Sequence, residues 1–95
     1  MKNVLIQYVR RRGKPVGCLV AVKREDGEIV IEYSLCRKTD KYDKILGRNI
    51  AIARAKKSKD GERTLPQSLR VEMQDFIKRC ERYYQKSATE MVGYI

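Results

Sequence analysis

The chain has 95 residues, 42% of them hydrophobic, and a formal net charge of +10. This length provides one small core and excludes a second independent domain. The 22 Lys and Arg residues exceed the 12 Asp and Glu residues, and such a surplus repels itself in a compact fold. It therefore indicates an anionic partner: nucleic acid, a nucleotide or phosphate ligand, or an acidic membrane surface. A solvated surface without any partner is the alternative.

The residue types that are missing or scattered restrict the chemistry further. The chain contains no histidine, which excludes Ser–His and Cys–His nucleophile pairs and zinc sites built on histidine. Its three cysteines, Cys18, Cys36 and Cys80, lie in apolar patterns, which indicates reduced, buried thiols. No signal-peptide pattern or membrane-length apolar run occurs, and no glycine spacing matches a nucleotide-binding loop. We therefore expect a cytoplasmic protein that is not an enzyme and has no cofactor.

Two clusters of turn residues separate three predicted strands. Alternating apolar residues predict these strands at residues 3–10, 16–24 and 28–36. Residues 10–15 form the first turn, where Gly13 is free to take a positive φ, and the turn carries four cations. Asp26 and Gly27 predict a tight second turn of the primed type. Together the strands are expected to form an antiparallel meander.

A helix is predicted next, over residues 40–57, with Thr39 or Asp40 as its cap and Asp43 in its first turn. The 3.6-residue period predicts a helix that is apolar on one side and cationic on the other. The cationic face includes Lys41, Lys44 and Arg48, and the apolar face consists of Tyr42, Leu46, Asn49, Ile50 and Ala53. Gly47 in the helix interior costs about 1 kcal/mol relative to Ala, which indicates that another backbone or a ligand approaches there.

The last predicted element is an amphipathic helix over residues 66–86, with Pro66 in its first turn. Its apolar stripe consists of Leu69, Met73, Phe76, Ile77, Cys80, Tyr83 and Tyr84. The tail, residues 87–95, is more apolar than a solvent-exposed terminus, so we expect it to dock on the domain or on a second subunit. The predicted order is βββαα in a single α+β domain, whereas a double-stranded-RNA-binding domain needs a helix before its strands.

The strongest candidate site is cationic. Nine Lys and Arg residues lie between Arg37 and Lys59, against only two carboxylates, and residues 10–14 add a second cluster. Arginine grips phosphate with a planar fork, and lysine acts as a mobile point charge. The two carboxylates, Asp40 and Asp43, could hold Mg²⁺, but among lysines they are better explained as helix N-terminal charges. Tyr42 is either a stacking plane for a base or a core residue.

Several motifs follow one another in a familiar order. They are Gly-Lys-Pro-Val-Gly-Cys-Leu-Val-Ala (13–21), Tyr-Ser-Leu-Cys (33–36), Asp-Lys-Tyr-Asp-Lys-Ile-Leu-Gly-Arg-Asn-Ile-Ala (40–51) and Arg-Ala (54–55). This pattern, over residues 8–57, resembles the small phage-encoded Thoeris anti-defence sponges. The resemblance implies an antiparallel sheet against two C-terminal helices, a homo-oligomer, and sequestration of a cyclic ADP-ribose signal made by bacterial immune TIR-domain enzymes. It also implies cyclic oligonucleotides as ligands of a separate site.

We therefore predict a phage-type immune-evasion protein in the host cytoplasm that binds a cyclic ADP-ribose isomer without degrading it. The first alternative is a small basic nucleic-acid-binding protein that contacts phosphates through the first helix and residues 10–14. The second is an inhibitor or regulator that docks on a host protein. The candidate ligand contacts, chosen for their chemistry, are Arg10, Arg11, Tyr42, Lys44, Arg48, Asn49, Arg54 and Arg79.

Overall fold

Three antiparallel strands are followed by two helices and a short fourth strand. The computed structural model describes residues 4–35, 41–57, 67–87 and 91–92. The elements are β1 (Val4–Arg11), β2 (Lys14–Lys23), β3 (Ile29–Leu35), α1 (Lys44–Lys57), a 3-10 turn (Gln67–Leu69), α2 (Arg70–Tyr84) and β4 (Met91–Val92). This arrangement confirms the predicted α+β class and the order βββαα in one domain.

The sheet has the strand order β1-β2-β3-β4. β1, β2 and β3 pair antiparallel as a meander, and β4 adds to the outer edge of β3 in parallel, with Ile29 opposite Met91. Of the two docking places considered for the tail, the domain itself therefore receives Met91 and Val92. Met91 is buried in the core, which explains why this part of the tail is apolar.

Each face of the sheet is covered by one helix. Because successive strand residues point to opposite faces, β2 places Leu19 and Ala21 beneath α2 and Val20 and Val22 beneath α1. The α2 cluster also contains Leu5, Val9, Ile29, Ile31, Leu69, Met73, Phe76, Ile77, Cys80 and Met91. The fold is thus a three-layer arrangement of helix, sheet and helix, and the apolar stripe of α2 packs as predicted except at Tyr83. That ring is 52% exposed.

The structure confirms the prediction for the first hairpin turn and corrects the one for the second. The positive φ pair of a primed turn occurs at Arg12 (53°) and Gly13 (77°), so the prediction for Gly13 is confirmed. At the second turn only Gly27 has a positive φ, 89°, and the Arg24 N–H donates to the Glu28 carbonyl across a three-residue loop. The predicted primed turn at Asp26 and Gly27 is therefore wrong, because a longer loop needs one left-handed residue rather than two.

The helix α1 begins later than predicted, at Lys44 rather than at residue 40. Asp43 is its cap: the Leu46 N–H donates to Asp43 Oδ1 at 3.0 Å, and the Gly47 N–H donates to the Asp43 carbonyl at 2.8 Å. Thr39 and Asp40, the predicted caps, lie outside the described residues.

The side of α1 that packs on the sheet is not the predicted apolar face. Gly47, Ala51 and Ala55 are buried against the sheet, together with Ile52. These small residues at four-residue spacing form one stripe and let the helix backbone come close to the strands. Leu46, Asn49, Ile50 and Ala53, which the periodicity assigned to one apolar face with Tyr42, are exposed instead. Of that set, only Tyr42 packs against the core beneath α1.

Candidate functional site

Residues 41–57, which include α1, contain many more positive than negative side chains. Residues 41–57 contain six Lys and Arg residues and one carboxylate, that of Asp43, which caps the helix. Two of the cations, Arg48 and Arg54, are half-buried beside the sheet. Neither has a carboxylate partner among the described residues. A ligand that supplies negative charge would complete these contacts.

Arg48 lies beside β2 and next to Asn49. Its Nε donates to the Asn49 side-chain oxygen at 3.4 Å. Burial raises the pKa of the Cys18 thiol to about 11, and the nearby Arg48 guanidinium acts in the opposite direction, which places Arg48 close to this buried strand residue. Arg48 is thus half-buried, while the neighbouring Asn49 is exposed on the outer surface of α1.

Arg54 occupies the other flank of α1. Its Nη1 donates to the Tyr33 carbonyl of β3 at 3.1 Å. Arg48 and Arg54 are six residues apart, so their side chains leave the helix about 120° from each other. The structure therefore brings Arg48 and Asn49 together, but it does not make Arg48 and Arg54 converge on one point within a single copy.

Tyr42 has a packing role in the structure. The Ser34 hydroxyl donates to the Gly47 carbonyl at 2.8 Å, and the Tyr42 hydroxyl lies 3.4 Å from the Ser34 oxygen. Since the single hydrogen of Ser34 is used on Gly47, Tyr42 is the donor to Ser34. Its ring also packs against the buried cluster beneath α1. Of the two predictions for Tyr42, the geometry favours the core residue over a stacking plane.

Lys44 is held at the edge of the sheet. Its ammonium lies 4.4 Å from the centroid of the Tyr8 ring, and the Tyr8 hydroxyl donates to the Lys44 carbonyl at 3.4 Å. These contacts fix the first turn of α1 on β1 and cover the Tyr8 ring with a cation. Tyr8 therefore does not offer an open face for a base.

The remaining predicted contacts lie along β1 and α2, apart from Arg48 and Asn49. Arg11 forms an ion pair with Glu72 of α2 and donates to the Ser68 carbonyl. Arg79 donates to the Ile6 carbonyl and to the Gln7 side-chain oxygen. Arg10 is exposed at the end of β1. The predicted set of eight residues thus divides into an α1 group and a β1 group.

A feature missed from the sequence is the apolar outer face of α1. Ile45 is 62% exposed, Leu46 57% and Ile50 37%, with Asn49 between them. Three large apolar side chains on two turns of one helix exceed the scattered exposure of an ordinary surface. The periodicity did reveal Leu46 and Ile50, but it could not show that the sheet would choose the opposite, small-residue face.

An open depression at the other end of α1 was also missed. It has a volume of about 620 Å³ and is lined by Val22, Lys23, Arg24, Glu25, Asp26 and Lys56. Arg24 closes one side by donating to the Ala55 carbonyl at 2.8 Å. The depression is formed by the second hairpin loop and the end of α1, so no sequence motif marks it. Its lining carries both signs of charge, which makes it less selective for an anion than the flank of α1 at Arg48.

The described ranges contain no cluster of three Cys, Asp or Glu side chains that could hold a metal ion. Asp43, a candidate magnesium ligand, is committed to capping α1, and Asp40 lies outside these ranges. Neither α1 nor α2 has the length and apolar character required to span a bilayer. Comparison with protein-family models, with curated proteins and with solved structures found no match to this chain.

Proposed function

We propose that the protein binds a small nucleotide-derived anion, such as a cyclic ADP-ribose isomer, and holds it without chemical change. The observation that carries this proposal is the unbalanced charge of α1: Arg48 is half-buried beside Asn49 and has no carboxylate partner in the described residues. Capture of such a signal would deprive a TIR-domain immune system of its messenger. The motif resemblance at residues 13–21, 33–36 and 40–51 supports this class of ligand.

The side chains around Arg48 match the parts of such a ligand. The Arg48 guanidinium offers paired N–H donors to a diphosphate. The Asn49 amide has both donor and acceptor atoms for ribose hydroxyls or an adenine edge. Ile45, exposed three residues before Arg48 and thus on a neighbouring part of the helix surface, provides apolar contact for the face of a purine.

A second copy of the chain would complete the site. The flanking arginines of one α1 diverge, and Ile45, Leu46 and Ile50 are exposed on its outer face. A homo-oligomer in which another copy covers this face would bury apolar surface and enclose the ligand beside Arg48. This arrangement accounts for the exposed apolar residues on the outer face of α1.

Calorimetric titration with cyclic ADP-ribose isomers tests the proposal. We expect stoichiometric binding of at least one isomer, recovery of the unaltered ligand after heat denaturation, and weak dependence on salt because the pocket is desolvated. Absence of binding for every isomer would overturn the proposal. A gel shift with random DNA and RNA in parallel examines the alternative, which predicts nucleic-acid binding that weakens steeply with salt together with no capture of any isomer.

A pair of arginine variants locates the site. Arg48→Ala should weaken ligand binding at least tenfold, about 1.4 kcal/mol, because it removes a charged hydrogen-bond donor. Arg82→Ala removes the same charge from an exposed position on α2 and should leave binding unchanged. Unchanged capture by the Arg48 variant would exclude this flank of α1 from the site.

A further inference from the structure

The first hairpin of the chain is free of negative charge. Residues 1–24 contain seven Lys and Arg residues and no Asp or Glu. The hairpin tip presents Arg10, Arg12 and Lys14, all of them exposed and without a carboxylate partner among the described residues. Four of these seven cations lie within residues 10–14, at the tip of the hairpin.

The tip is rigidly held at the outer edge of the sheet. Arg12 and Gly13 both take left-handed backbone conformations in a two-residue turn, and Arg11 ties the end of β1 to Glu72 and Ser68. Arg11 thus holds the hairpin against α2, while its neighbours on either side keep their charge free. A turn whose backbone is held in place loses less loop freedom on binding than a mobile one.

A further arginine extends the positive surface along β1. Arg79 of α2 reaches over the strand to the Ile6 carbonyl and the Gln7 oxygen, and both acceptors are neutral, so its charge is not cancelled there. With a rise of about 3.3 Å per strand residue, the surface from Ile6 to Arg11 is about 17 Å long. Duplex phosphates repeat every 3.4 Å of axis on each strand, so this length covers about five base pairs.

We propose that Arg10, Arg12, Lys14 and Arg79 form a binding surface for the phosphate backbone of duplex nucleic acid, separate from the α1 site. We name these four residues the basic edge. We assign phosphates to the basic edge, because Arg and Lys bind phosphate oxygens regardless of the base sequence. This surface does not depend on the proposed capture of a nucleotide.

Other polyanionic partners fit the basic edge less well. A single strand requires exposed aromatic rings for stacking, but Tyr8 is covered by Lys44, and the exposed ring of Tyr83 lies at the far end of α2. On an anionic membrane surface each cation contributes only about 1 kcal/mol, and stable attachment adds apolar side chains that insert between lipids. The tip residues at positions 10–14 are three arginines, a glycine and a lysine, and they provide none.

Fluorescence anisotropy with a labelled duplex of about 20 base pairs and random sequence tests the proposal over about 50 to 200 mM salt. If each of the four residues contacts one phosphate, the logarithm of the association constant should fall with the logarithm of the salt concentration with a slope of about −3.6. Duplex DNA and duplex RNA are measured separately, with a single strand and anionic lipid vesicles as further arms. Absence of duplex binding at the lowest salt, or tighter binding of the single strand or of vesicles, would overturn the proposal.

Two triple variants test whether duplex binding depends on the basic edge itself or only on the net charge of the protein. Arg10→Gln, Arg12→Asn and Lys14→Gln together should weaken duplex binding at least tenfold and reduce the slope by about 2.7. Asn is chosen at position 12 because it tolerates the left-handed backbone. The control variant carries Lys23→Gln, Lys56→Gln and Lys57→Gln, and it also lowers the net charge of +10 by three. These lysines are exposed at the end of β2 and the C-terminal end of α1.

The control triple variant should bind duplex within about threefold of the original protein, since its lysines lie away from the basic edge. Equal weakening by both triple variants would show that only net charge matters and would contradict the proposal. Circular dichroism and thermal melting confirm that both variants fold. Cyclic ADP-ribose titration of the tip variant distinguishes the two sites, because the variant should capture the nucleotide normally while its duplex binding weakens. A parallel loss of nucleotide capture would show that the two sites are not separate.

Discussion

The Tyr42 ring occupies the space where a side chain on Gly47 would lie. A Cβ atom built at Gly47 would collide with the hydroxyl and ring carbons of Tyr42. The same tyrosine donates to Ser34, which in turn donates to the Gly47 carbonyl. The interior glycine of α1 is therefore explained by the close approach of a tyrosine side chain. The sequence had indicated that another backbone segment or a ligand would approach at this position.

Gly47→Ala should destabilise the protein, although the same change in an unobstructed helix interior stabilises by about 1 kcal/mol. The added methyl group forces Tyr42 out of its place, and we expect a loss of about 1–2 kcal/mol in the free energy of unfolding. Urea denaturation measures the change.

The double variant provides the control. With Tyr42→Ala in place the collision is absent, so adding Gly47→Ala should then stabilise by about 1 kcal/mol. A destabilisation of the same size in both backgrounds would mean that Tyr42 is not the obstacle.

Met91→Ala should destabilise the domain by about 2 kcal/mol or more, because its side chain is buried in the cluster beneath α2 and β4 is only two residues long. Thermal or urea unfolding gives the value. Val71→Ala, at an apolar position on α2 that is 68% exposed, is the matched control and should stay within about 0.5 kcal/mol of the original protein.

Leu46→Glu should weaken self-association at least tenfold while leaving the fold of one copy intact, because Leu46 is exposed on the outer face of α1. Sedimentation equilibrium over a range of protein concentrations measures the association. Val71→Glu places the same charge on an exposed apolar site of α2 and should have little effect. A protein that is monomeric at every concentration would contradict the proposed contact between copies.

Stability should fall as the pH rises above about 9, in part because of two buried thiols. Burial raises the pKa of Cys18 from 9.0 to about 11 and that of Cys80 to about 12, so above pH 9 the unfolded chain loses these protons first. Ionisation of the unfolded state then lowers the free energy of unfolding, by about 1 kcal/mol per pH unit for each thiol, until the pH passes the folded-state pKa. Below about pH 8 both the folded and the unfolded chain keep these protons, so the thiols contribute almost no pH dependence there.

The variant with both Cys18→Ala and Cys80→Ala isolates this effect, because all other titrating groups remain. Its stability is lower at neutral pH, since two core side chains are truncated, but it should decline less steeply between pH 9 and 11. Parallel curves for the variant and the original protein would show that the thiols are not responsible.

The sequence was sufficient for the parts of the fold in which a repeated pattern extends over a whole element. Alternation in β1, β2 and β3 identified both faces of the sheet, and the long apolar stripe of α2 identified its buried side except at Tyr83. The charge of α1 and of residues 10–14 was equally visible, because charge is a property of composition. The candidate site was predictable to that extent: its residue types and its helix.

The tertiary structure alone decided which side of α1 meets the sheet. Both sides could be buried: one carries Leu46 and Ile50, and the other carries Gly47, Ala51 and Ala55. The periodicity argument assigns the face with the largest apolar side chains to the core. A helix that lies close to strands needs small side chains on its buried face, and here the strands provide the larger apolar side chains of the core. That choice exposed Leu46 and Ile50, placed Arg48 against β2, and divided the eight predicted contacts between α1 and the β1 edge.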